Sequence, residues 1–130
     1  MKKLAIILLL IVSNTYCQNK KENVNCSSFK IGKYRIVDKL SGVTDIERTS
    51  KYQIEENKKH KYKIKLSVTW INDCTYQLKV VEDLMNPQNK NLPEMILTCK
   101  IIEKTNNGYL QVSSSNISEM VLKKEVIKLD

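Results

Sequence analysis

The chain has 130 residues, with 22 basic and 14 acidic side chains, one histidine and four cysteines. That length supports one modest hydrophobic core and excludes a large multidomain machine. The net charge of +8 is compatible with attraction to anionic surfaces, but lysine-rich chains are commonly just soluble, so charge alone does not point to nucleic acid and none is expected as a partner.

The chain opens Met1-Lys2-Lys3, runs through apolar residues from Leu4 to Val12, and turns polar at Ser13-Asn14-Thr15. This is the order of a cleaved signal peptide over residues 1–17, with Thr15 and Cys17 at the peptidase positions and the cut before Gln18. The apolar helix would reach only about 14 Å, against a hydrocarbon core of about 30 Å, so no membrane span is expected after cleavage. Cys17 carries a lesser alternative, a lipoprotein acylated there, which Tyr16 in the preceding position weakens. The mature chain keeps a net charge of +6. Residues 18–25 are polar and expected to be flexible, and 26–130 form a single domain.

Strand signals then follow in order. Phe29 to Val37 reads as a first strand, with Tyr34 and Ile36 on one face, and Ser41-Gly42 as a turn. From Asp45 to Glu55 the pattern alternates, placing Ile46, Arg48, Ser50, Tyr52 and Ile54 on one face and only polar residues, among them Gln53 and Glu55, on the other. After Glu56-Asn57-Lys58-Lys59, the row Tyr62, Ile64, Leu66, Val68, Trp70 is the strongest strand signal in the chain. Asn72-Asp73 makes a turn, and Tyr76, Leu78 and Val80 continue a fourth strand. Pro87 and Pro93 bracket a polar loop, since neither can donate to a ladder. Ile96 to Lys104 and Tyr109 to Ser113 read as a hairpin around Asn107-Gly108, which tolerate the positive φ of a type I′ turn. The segment Ile117 to Leu129 is read as a last strand, although Ile117, Met120, Val121 and Ile127 have rough helical spacing.

Strands with one apolar and one polar face must curl or stack. The fold expected is therefore all-β: a single antiparallel lipocalin-like barrel, half-barrel or sandwich of six to eight strands.

An exported chain meets an oxidising compartment, where Cys26, Cys74 and Cys99 can form one bridge with one thiol left over. Spacing alone does not choose among the three pairs. Cys99 lies in the apolar row Leu97, Cys99, Ile101 and reads as a buried thiol, which favours Cys26 with Cys74. Closely spaced cysteine or histidine pairs are lacking, so no metal site and no cofactor is expected.

Arg48 is the most informative residue, because the alternation turns it toward the apolar face, where an unpartnered guanidinium would cost several kcal/mol. In one reading it meets an anionic ligand group within aromatic walls of Tyr34, Tyr52, Tyr62 and Trp70. In the other it stacks on Trp70 and closes one end of a barrel. Lys58, Lys59, Lys61, Lys63 and Lys65 form a basic stripe that could follow a phosphate-rich surface, or simply be the solvated face of a strand, even an edge strand. His60, the lone histidine, has lysines around it and no acid to orient it as a general base. Glu55-Glu56 and Glu82-Asp83 are adjacent in strands, so each pair faces opposite ways and forms no acid-base couple. Catalysis is therefore not expected.

The constellation Cys26 with Gly32-Lys33-Tyr34, Ile46-Glu47-Arg48 with Gln53-Ile54-Glu55, and Trp70-Ile71-Asn72-Asp73-Cys74-Thr75-Tyr76-Gln77-Leu78 resembles a family of small exported proteins of Bacteroidetes-type bacteria. The resemblance covers about half of the mature chain and fades after Pro87. It implies a compact lipocalin-like β protein with a Cys26–Cys74 bridge and brings no catalytic residues. Members are sometimes labelled DNA topoisomerase IV, a label an exported chain of this length cannot support. The function expected is an exported, non-catalytic binding or interaction module for a small apolar or anionic ligand or an envelope protein. The alternative is an envelope-associated structural protein with a filled core. Periplasmic and secreted locations both fit.

Overall fold

The structure, a computed structural model, describes residues 24–130. The signal peptide over 1–17, the acylation alternative at Cys17 and most of the segment 18–25 lie outside the described residues. A 3-10 turn, Ser27–Phe29, leads into eight strands: β1 (Gly32–Asp38), β2 (Gly42–Arg48), β3 (Tyr52–Asn57), β4 (Tyr62–Asn72), β5 (Thr75–Asp83), β6 (Ile96–Lys104), β7 (Gly108–Ser115) and β8 (Val121–Lys128). Each pairs antiparallel with the next, and β8 returns to β1, giving a closed, lipocalin-like barrel in simple up-and-down order.

Alternation is what closes it. Leu66 and Val68 of β4 and Tyr76, Leu78 and Val80 of β5 are buried, and their outward neighbours are mostly polar, so these two strands offer the interior an apolar row, while β3 turns in the polar Gln53 and Asn57. Closure leaves the lysine-bearing β4 paired with β3 over Tyr62–Ser67 and with β5 over Ile64–Asn72, not at an edge.

Three local readings change. Phe29 belongs to the 3-10 turn and not to β1. The stretch Asp45–Glu55 is two strands, because Thr49, Ser50 and Lys51 form a tight turn in which the Thr49 amide donates to the Tyr52 carbonyl at 2.8 Å. Arg48 is thereby opposite Gln53. Opposed residues share a face, so the inward parity switches from even to odd: Gln53 turns in with Arg48, and Tyr52 turns out. At the β6–β7 hairpin the turn is Asn106-Asn107, with Thr105 and Gly108 closing it through a 2.9 Å bond. Gly108 is needed for a different reason from positive φ. A Cβ there would lie 1.9 Å from the Val126 carbonyl oxygen, so only glycine lets β8 come this close.

The seam between β1 and β8 is short. Only Tyr34 with Lys128 and Arg35 with Ile127 are in register, while β2 and β3 share five such pairs and β7 and β8 share seven. Continuing the seam register places Asp38 opposite Lys124, and these two side chains form an ion pair where the backbone ladder has ended.

Candidate functional site

Antiparallel order puts the turns 49–51, 73–74 and 105–107 at one end of the barrel, together with the N-terminal segment. The connections 39–41, 58–61, 84–95 and 116–120 lie at the other. The first end is plugged. Cys26, before the 3-10 turn, is bonded to Cys74 in the β4–β5 turn, with Cα atoms 5.3 Å apart, and Cys99 is a buried free thiol. The bridge fastens the N-terminal segment across the barrel mouth, and Phe29 enters the core against Tyr109, ring centroids 4.9 Å apart.

Arg48 lies beneath this plug and is 1% exposed. Its Nε donates to Gln53 Oε1 at 2.7 Å, Nη1 to the Phe29 carbonyl at 2.8 Å, and Nη2 to the hydroxyls of Tyr76 at 3.1 Å and Tyr109 at 3.0 Å. The guanidinium carbon lies over the rings of Tyr34 and Tyr76, 4.8 and 4.5 Å from their centroids. A planar fork with several donors and two stackable faces suits this place, and an ammonium would not. Burial opposes the charge, yet the Tyr76 and Tyr109 hydroxyls outweigh it and hold the group above its ordinary range.

Every direct partner of Arg48 is neutral. A carboxyl group is reached through an amide, since Gln53 accepts from Arg48 and donates to Glu55 Oε1 at 2.6 Å. Burial pushes the Glu55 carboxyl up, against the Gln53 hydrogen bond and the pull of Arg48. Beyond Arg48, the Tyr76 hydroxyl donates to Gln111 Oε1. Burial also raises the Cys99 thiol to about 11, with the Ser113 hydroxyl at 3.6 Å working against it.

The residues expected to wall a pocket around Arg48 are thus divided. Tyr34 is buried and stacks on it. Tyr52 is exposed on the outer surface, where the Lys65 ammonium sits 4.1 Å from its ring, because the 49–51 turn reverses the parity. Tyr62 opens β4 at the opposite end, about 13 Å along the strand from Leu66, the partner of Gln53. Trp70 does not stack on Arg48; it packs on Tyr76 at 4.8 Å and has Lys30 over its ring at 5.0 Å. Tyr76, Tyr109, Gln53 and Glu55 complete the cluster instead. Tyr76 was visible as an inward residue from its row with Leu78 and Val80, but nothing in the sequence joined it to an arginine 28 positions away.

The basic stripe is likewise divided. Lys63 reaches Glu56 at 3.9 Å and Lys65 covers Tyr52, both on the outer face. Lys58, Lys59 and Lys61 stand at the exposed 58–61 turn, with Lys59 Nζ donating to the Leu40 carbonyl at 2.8 Å.

The interior changes character toward that end. Ile36, Tyr62, Ile64 and Leu97 share the inward parity of the core yet are only half-buried. A scan against protein-family models, a search of curated proteins and a search of solved structures each return no match.

Proposed function

We propose that the protein is an exported, non-catalytic interaction module whose disulfide-stapled barrel presents a working outer surface. The observation that carries this reading is the state of Arg48. Its partners and the two stacked rings occupy the space an anionic ligand would need, so the arginine acts as a keystone of the plugged end. Export is supported by the Cys26–Cys74 bridge, which suits an oxidising compartment, and by the Met1-to-Val12 pattern.

Fluorophore binding to the purified protein tests it. An uncharged apolar dye should show no saturable uptake into the barrel of the folded protein, and tight one-to-one uptake would overturn the proposal. A second reading, a small apolar ligand in the far half of the barrel, is favoured by the half-buried inner faces of Ile36, Ile64 and Leu97. In that case uptake would appear and Leu97→Trp, which fills the space, would abolish it.

A further inference from the structure

The unplugged end of the barrel gathers lysines and exposed apolar side chains on neighbouring turns. Its four connections and the strand residues that bound them carry Lys39, Lys58, Lys59, Lys61 and Lys90 with Asp38, Asp83, Glu94 and Glu119, and four of these lysines gather on the 39–41 and 58–61 turns, where Asp38 is engaged by Lys124. The same four connections expose Leu40 at 85%, Met85 at 63%, Ile117 at 68% and Met120 at 64% of their surface. Three of the four therefore carry a large apolar side chain at a tip, and the fourth, 58–61, is the lysine cluster. The plugged end also shows apolar side chains, Ile31, Ile71 and Leu129, but its lysines, Lys30, Lys51, Lys104 and Lys128, come singly from four separate segments.

The rim is held together. Asn57 Nδ2 donates to the Ser41 carbonyl at 2.7 Å and Lys59 to the Leu40 carbonyl, so the 39–41 and 58–61 turns present Leu40 beside the lysines as one surface. Lys61 has φ +54°, a left-handed conformation that glycine or asparagine adopts more cheaply. A lysine at that position places charge at the tip at the expense of local backbone comfort.

We propose that this rim docks on an anionic lipid surface. The apolar tips enter the headgroup layer while the lysines meet the phosphates, the chemistry by which peripheral proteins hold anionic bilayers. The inference rests on the interaction-module reading, and names the partner of that outer surface.

Co-sedimentation of the protein, purified as the cell processes it, with phosphatidylethanolamine–phosphatidylglycerol vesicles and with phosphatidylcholine vesicles provides the test. Binding should occur to the anionic vesicles only and weaken with salt. The double variant Lys58→Glu/Lys61→Glu should lose at least about tenfold in partition, since each lysine near such a surface is worth about fivefold. Lys51→Glu/Lys104→Glu, at the other end, should bind as the parent does, and Leu40→Ser should weaken binding without changing the melting temperature. Lys61→Gly separates function from folding: partition should fall while the melting temperature does not. Absence of binding to anionic vesicles, or equal losses from the two charge reversals, would overturn the proposal. So would capture of a protein through this rim in the absence of any vesicle binding. Dye uptake into the barrel would count against the interaction-module reading even with vesicle binding intact, so the two failures are distinguishable.

Discussion

Arg48 is enclosed by groups that are themselves buried, so its removal strands several polar atoms at once. Arg48→Ala leaves the Phe29 carbonyl, Gln53 and two tyrosine hydroxyls without their donor and should cost about 3–5 kcal/mol in denaturant melts. Lys51→Ala, on the exposed turn beside it, should stay within about 0.5 kcal/mol. Glu55 gives a pH signature. Its folded carboxyl titrates above its ordinary value of 4.5, so the stabilising difference is fully present below that value and is lost as pH rises through the raised one. Glu55→Gln keeps an acceptor for Gln53 and removes the titration. Its denaturant midpoint should gain on the parent's as pH increases from about 4 to 8, and a constant offset would contradict the burial of the charge. That Arg48 turns inward was legible from Ile46 two residues before it, but the companion argument from Tyr52 and Ile54 was wrong. Its partners come from β3, β5, β7 and the N-terminal turn, and residue spacing does not record which strands converge in space.

Among the elements, those with strict alternation were the readable ones. The rows of β4 and β5 fixed their inward faces, because five and three large side chains respectively repeat at period two. The break at 49–51 was not readable, since Thr49-Ser50-Lys51 lacks the glycine or proline that marks a turn and happens to continue the polar alternation. At the β6–β7 hairpin the glycine was noticed and its task mistaken, as close approach of β8 leaves no trace in local sequence. Gly108→Ala therefore should be among the most damaging single substitutions, about 3 kcal/mol or more by thermal or chemical melting, because the clash is with backbone that cannot rotate away. The bridge between the N-terminal segment and the β4–β5 turn spans 48 residues, and in the chain-entropy model contributes about 4 kcal/mol. Cys26→Ser/Cys74→Ser should lower the denaturation midpoint accordingly. Peptide mapping without reductant should show these two joined, and Cys99 should resist a thiol reagent until the protein unfolds.

For the molecule as a whole, barrel, half-barrel and sandwich remained open alternatives in the sequence because closure depends on β1 meeting β8, some ninety residues apart. No motif marks that contact. It is also the weakest ladder among the described strands, two register pairs and the Asp38–Lys124 ion pair. Hydrogen exchange should accordingly begin at Ile36–Asp38 and Val121–Glu125, ahead of the amides shared by β4 and β5. Asp38→Asn should quicken exchange there and leave the β4–β5 ladder unchanged. The same seam has a consequence for how the chain could be rewired. At the plugged end the Leu129 amide donates to the Lys33 carbonyl at 2.9 Å, so the two outer strands already run side by side where the chain enters and leaves the barrel. A short Gly-Ser linker from Asp130 to the residues ahead of Cys26 would turn the long-range seam into a local hairpin, and the exposed loop 84–95 could be opened as the new start and finish. In the resulting circular permutant the long-range closure passes to β5 and β6, which share five register pairs, so early hydrogen exchange should move from the β1–β8 seam to that new one.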